Sequence, residues 1–359
     1  MAEHAAEYEW RGEGEEAEVV LYAPDDSAFE RTLPAAKLPG VESPIYAAAS
    51  HVDLGWAAAS ATHVAPDLLS APLRAMLLVA GTRSENLGVP PQELIHKALR
   101  ELPEAGARLP SLNESGVGRL CESGALAAAE DDLIEEEDLP LLGLRPGDAD
   151  AVGSRALAAG PREWEGGVEP VLGLVTEILD TEGAESLGLE EGVIALLVRV
   201  DAGDLGRLTL AAHRERMLSL ARSEDFGAAH ELPAALAGSG EAEDLIAAVN
   251  AAANFADART ARAVWMLRRV VGGAAGGLNL RAAWRMGGIE EQEGRLVHRR
   301  GFASAENGHV LVCGSYAAAG TGNMWASAPP FGVPEEEGRW PWEEAGLLER
   351  LAALDPPEG

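Results

Sequence analysis

Cysteine is scarce: Cys121 and Cys313 are the only two in 359 residues, and they are not at metal-ligand spacing. A disulfide framework is thereby excluded, and buried free thiols are expected. Lysine is scarcer than usual as well. Lys37 and Lys97 are the only two, so nearly all positive charge is arginine. No apolar run reaches the roughly 20 residues a membrane-spanning helix needs, so no membrane association is expected. The opening MAEHAAEYEW is acidic and has neither a basic region nor an apolar one. That pattern predicts no secretory signal, and the cytoplasm is the expected compartment. Nothing matches a GxSxG elbow, a phosphate-binding loop or a CxxC pair.

Acidic charge is what the chain has in excess. Asp and Glu number 59 against 28 Lys and Arg, a net charge of −31 with a pI near 4.5. Proteins that grip a nucleic-acid backbone normally present a basic face, because phosphate contacts dominate affinity. This chain repels RNA at long range unless its arginines gather in one cleft. The other reading of the acidity is a proteome-wide bias toward Ala, Gly, Glu and Arg. At 47% hydrophobic and 5% aromatic, the chain is globular, with Ala, Leu and Gly filling its interior.

The periodicity predicts a mixture of helices and strands. VVLYAP near the N-terminus reads as an edge strand. PPQELIHKALRELPE (90–104) reads as a helix opened by Pro-Pro, with Leu94, Ile95, Ala98 and Leu102 on one face and His96 beside it. The block EDDLIEEEDL is a solvated helix face or loop, lacking the fixed oxygen spacing and turn glycine of a calcium loop. GVIALLVRV is a continuous apolar run of strand length, so a buried strand is expected. LTLAAHRERMLSLAR reads as a helix on which His213, without a partner at helical spacing, is assigned to the surface, as is His230. Residues 241–271 carry the longest helical pattern, with small residues on one face for close packing.

LVHRRGFASAENGHVLVCGS (296–315) reads as a β-hairpin, two strands joined by a turn with Asn307-Gly308 at its tip. This stretch resembles the LVHRKGA…PGSMG segment of the RtcB-type RNA ligases, which join RNA ends through GTP and manganese. The resemblance extends over most of the chain. AAKLPGVESPIYAAASHVDLGW is similar to the family's leading PDvH segment, VAPDLLSAPLRAMLLVAGT to its DigCG run, and AAVNAAANFADAR to its aAanfAwaNR helix. It implies an α+β fold: a single RtcB-like domain over 1–325 with central β-sheets packed by helices, followed by an acidic Pro/Trp-rich tail over 326–359 with a short terminal helix.

The resemblance also implies where two manganese ions and a guanylate-accepting histidine would sit, and those positions hold the wrong residues. In the DigCG run the ligand aspartate falls on Pro72 and the ligand cysteine on Ala75. The GNHF histidine falls on Val168, the HSGSR histidine on Arg199, and the vyDvaHN histidine on Trp284. The PDvH histidine falls on Asp53, and no histidine follows His309 to accept guanylate. Pro, Ala, Val and Trp do not bind manganese. The resemblance therefore implies a C-terminally truncated family member without catalytic residues and without the family's GTP and manganese.

Asn254, His298, Arg299, Arg300, Gly314 and Ser315 hold the family's polar positions. With Arg199, Arg281 and Arg285 they form the expected residual cleft, since arginine forks suit phosphate or carboxylate. The bland alternative is that these arginines replaced metal charge and pair with the chain's own carboxylates. A rival metal site of His51, Asp53 and His63, with Asp67, has HxD spacing suited to one strand face. Three functions follow. The first is a pseudoenzyme binding an RNA end, a nucleotide or a protein. The second is an active RNA ligase or phosphoryl-transfer enzyme rebuilt around His51 and His63. The third is a structural partner of a full-length RtcB-like ligase.

Overall fold

Strand-forming runs from both halves of the sequence meet in one seven-stranded antiparallel sheet. The structure, a computed structural model, describes residues 63–303 except 70, 89, 144, 167–168, 175–183, 186, 224–232 and 293–294. It also describes 8–11, 18–22, 30–33, 46–49, 54–60, 310–313 and 324–327. The strands in chain order are β1 Tyr8–Arg11, β2 Glu18–Tyr22, β3 Glu30–Leu33, β4 Tyr46–Ala49, β5 Leu54–Ser60, β6 His63–Val64 and β7 Leu73–Arg83. There follow β8 Glu169–Leu174, β9 Val193–Asp201, β10 Ala235–Leu236, β11 Leu278–Gln292, β12 Arg295–Ala303, β13 Val310–Cys313 and β14 Met324–Ser327. The helices are α1 Pro91–Gly106, α2 Glu114–Glu130, α3 Leu139–Leu142, α4 Ala149–Val152, α5 Ser154–Glu165, α6 Gly203–Ser223 and α7 Gly240–Leu267.

The large sheet runs β4-β5-β12-β11-β7-β9-β8. Alternation along β7 sends Met76, Leu78 and Ala80 into the core built with α1, α2 and α7. Ala75, Leu77 and Val79 go to the opposite face, with Leu187, Val193, Ala195, Ala282 and Trp284. Burial on both faces is why these strands read as unbroken apolar runs rather than alternating ones. Each fully buried Leu side chain contributes about 1.5–3 kcal/mol relative to exposure. At the end of β7, a Cβ on Gly81 would stand 2.3 Å from the carbonyl oxygen of Gly276, so only glycine lets these backbones approach.

Helix α7 organises the helical layer. Ser239 caps it by accepting from the Ala242 amide at 3.3 Å, and Glu241 and Glu243 lie in its first turn, where the helix dipole favours them. From Ala251 to Val264 every residue is buried. Its alanines let α2, α4 and α6 pack closely, and it continues into a π-helical turn at Arg268–Gly272. Small residues were expected on one face; they cover the whole circumference because protein surrounds the helix.

The mixed α+β expectation holds, as do α1, α6, α7 and the buried strand β9. The expected 296–315 hairpin does not form. Both edges of β12 are taken, by β11 and β5, and β13 pairs with β14 in a separate sheet. VVLYAP supplies β2, which is the middle strand of a β1-β2-β3 sheet rather than an edge. Most of the acidic block is exposed, but Asp138 is buried and accepts from Arg268 Nη1 at 2.5 Å. The expected tail lies, beyond Ser327, outside the described residues. Among the described residues no helix is long and apolar enough to cross a membrane.

Candidate functional site

Three adjacent strands align one row of positions across the sheet. Arg199 on β9 stands directly opposite Ala75 on β7, and Ala75 stands opposite Trp284 on β11. Glu169, the first residue of β8 and the chain neighbour of Val168, is the register partner of Arg199. Ala75 and Trp284 are 2% and 1% exposed, on the face of the sheet turned away from α7. Directly opposed residues have Cβ atoms about 4.5–5.5 Å apart, close enough for side chains of adjacent strands to share one ligand. What occupies the described part of this row is a methyl group and an indole.

The other face of the same strands carries a buried ion cluster. Arg74 on β7 and Arg285 on β11 are register partners, and both reach Asp257 on α7. Arg74 donates from Nε to Asp257 Oδ1 at 2.5 Å and from Nη2 to Oδ2 at 2.9 Å. It also donates from Nη2 to the Leu142 carbonyl. Arg285 Nη2 donates to Asp257 Oδ2 at 2.9 Å. The three residues are 3%, 5% and 1% exposed respectively, in the order Arg74, Arg285, Asp257. Burial lowers the Arg285 pKa, Asp257 opposes that shift, and Arg74 and Arg145 add to it. Arg145 approaches from the loop after α3, with Nη1 3.4 Å from the Ile289 carbonyl and Nη2 3.5 Å from Glu290 Oε1.

Arg285 therefore sits behind the sheet from the row that carries Trp284, so it and the Arg199 position do not share a wall. Arg281 is exposed, next to Gly188. Asn254 is wholly buried and committed to backbone: Nδ2 donates to the carbonyls of Cys121 at 3.0 Å and Arg145 at 2.9 Å. It packs against Gly124, whose φ of +51° kinks α2, and so ties that kink and the Arg145 loop to α7. His298 is also wholly buried, its Nε2 accepting from the Ala65 amide at 3.2 Å. Arg299 and Arg300 follow on β12, opposite Ala57 and Trp56 of β5. Gly314, Ser315, His51, Asp53 and His230 lie outside the described residues.

Of the rival metal set, His63 is placed in β6 opposite Leu236, and the Asp67 carboxylate accepts from Arg214 Nε at 2.8 Å. Among the described residues no group of three or more His, Cys, Asp or Glu is arranged to hold a metal ion. The thiol of Cys121 is buried as expected, its pKa pushed up to about 12 by burial and then by Glu122.

Sequence reasoning missed Arg74 and Asp257. Each is a lone charge in an apolar or Ala-rich run, LRAMLLVA and ANFADA, and two such solitary opposite charges are the available signal of a buried pair. It also misassigned His213, which is 2% exposed on α6 with Nε2 2.9 Å from the Ala151 carbonyl. Its partner belongs to α4, far away in sequence, and periodicity along one helix does not reveal it.

Burial lowers the His213 pKa below 6.5, opposed by its Ala151 hydrogen bond. The unfolded chain then binds a proton more readily than the fold. His213 should thus contribute its full stability above about pH 6.5 and lose it as pH falls from there through the folded pKa. Urea unfolding between pH 5 and 7.5 should show this decline, and His213→Gln should flatten it. An unchanged slope in the variant would remove His213 as the cause.

No family model and no curated protein matches the chain.

Proposed function

We propose that the chain is a non-catalytic protein of the RtcB type, retained as a binding subunit after losing its metal centre. The observation that carries this reading is the row on β8, β9, β7 and β11. The resemblance assigns manganese ligands to Val168, Arg199, Ala75 and Trp284 from four separate segments of sequence. Arg199, Ala75 and Trp284 stand side by side on neighbouring strands, and the chain neighbour of Val168 continues the row. Positions that the resemblance assigns to one metal site come from separate segments of the chain and lie in one row of the sheet, and that supports the reading. The residues there cannot do the chemistry, which needs thiolate, imidazole or carboxylate to hold the ion that stabilises phosphoryl transfer.

A binding role fits a protein partner with a basic surface better than RNA, because a net charge of −31 opposes approach of a polyanion. The cytoplasm is the proposed compartment. The test is manganese stoichiometry by mass spectrometry after loading, with intact mass measured after incubation with GTP and manganese. The expected result is no bound manganese after desalting and no guanylate adduct. Stoichiometric metal together with an adduct would sink the proposal, and His51, His63 and His298 would be the first residues to substitute.

A further inference from the structure

We propose that the buried arginine cluster between sheet and α7 binds a small oxyanion, a carboxylate or a phosphate group, through Arg285. Arg74, Asp257 and Arg285 bring two guanidinium charges to one carboxylate, a net charge of +1, and each of the three is at least nine-tenths buried. A charge held this deep is costly unless something of opposite sign balances it. Asp257 is already fully engaged, its Oδ1 by Arg74 and its Oδ2 by Arg74 and Arg285.

Arg285 meets Asp257 through Nη2 alone. Its Nε and Nη1 are buried and have no hydrogen-bond partner among the described residues. Nε and Nη1 lie on different edges of the planar guanidinium, so the two left-over donors call for separate acceptor oxygens, and the excess positive charge selects an anion to supply one. Arg145 reinforces the choice of sign. Its charge acts on Arg285 in the same direction as that of Arg74, making the protonated form harder to hold. An added anion would relieve all three guanidinium groups at once. Arg145 is also the most accessible of the three, with its side chain 19% exposed. The site lies on the opposite face of the sheet from the Ala75–Trp284 row and stands independently of the ligase resemblance.

The test uses the full chain with inorganic phosphate and with acetate as probes, each titrated calorimetrically at constant ionic strength. The expected result is saturable one-to-one binding of at least one probe, with a melting temperature that rises as that probe is added. Phosphate alone assigns the site to phosphoryl groups, and acetate alone or both together to a carboxylate-sized oxyanion. R285K keeps a cation for Asp257 but loses the separate Nε and Nη1 donors, so binding should weaken on the order of tenfold or more while the fold survives. Should R285K not fold, R145Q serves instead, with weakened binding expected from the loss of the neighbouring charge. Absence of saturable binding of both anions to the unmodified chain would overturn the proposal. Binding undiminished in a folded R285K would overturn it equally.

Discussion

Replacing Asp257 with alanine is expected to destabilise the fold by about 3–5 kcal/mol, because it leaves two buried guanidinium groups facing each other without a counter-charge. Arg74 and Arg285 are register partners on adjacent strands, and Asp257 is the carboxylate between them. Its removal strands the donors on Arg74 Nε and Arg285 Nη2 and adds like-charge repulsion where water cannot screen it. Asp257→Asn, which keeps the shape and one acceptor but not the charge, should fall between the two. Urea unfolding followed by circular dichroism measures both. The informative companion is a variant in which all three are apolar, Arg74→Met, Asp257→Leu and Arg285→Met. It should recover most of the loss, since well-packed apolar replacements of buried ion networks are often neutral or stabilising. A cost below about 1 kcal/mol for Asp257→Ala would mean that the network is not desolvated as its burial indicates.

The second large effect is a gain. Placing ligands along the row with Ala75→Cys, Arg199→His and Trp284→His should create a transition-metal site, with affinity moving from undetectable to roughly micromolar or tighter. One thiolate and two imidazoles on three neighbouring strands can converge on an ion at about 2.0–2.3 Å per bond. The cost is the cavity left by Trp284, and a buried Trp or Phe cut to alanine typically loses about 3–5 kcal/mol. Circular dichroism must therefore accompany the metal titration. Cobalt is the useful probe, because thiolate-to-cobalt absorption directly reports the sulfur that Ala75→Cys introduces. A folded triple variant with no such absorption would show that the three positions do not share a site, and the proposed ancestry would lose its main support.

Much of the fold was legible where the signal is local. The Pro-Pro start of α1, the apolar run of β9 and the small-residue stretch of α7 all announce themselves within one segment, because propensity and burial act there on neighbouring residues. Strand partners are different. LVHRRG and HVLVC look like a hairpin because a turn signal separates them, yet β12 is fully engaged by β11 and β5 and cannot also accept β13. Nothing in those residues says which edges are already taken. The candidate positions were legible in the same uneven way. The resemblance picked positions that the strand register sets in one row, but gathering Arg199, Arg281 and Arg285 into one cleft ignored the two-residue alternation of strands. Trp284 and Arg285 are neighbours in sequence and face opposite sides of the sheet. Asn254 and His298 were picked as ligand contacts because polar residues in apolar surroundings attract notice. Both serve the backbone instead, through groups on distant segments.

The strand order has a bearing on how the chain is made. β11 and β12 separate β4 and β5 from β7, β9 and β8, all of which precede them in sequence. During synthesis from the N-terminus, β5 and β7 wait with open edges until residues near 300 emerge. Long-range pairing of this kind slows folding, and unpaired edges in the interval invite association between nascent chains. A chain interrupted before Leu278 would carry two half-sheets with nothing to join them. The centre of this protein is therefore the last part of its sheet to be supplied.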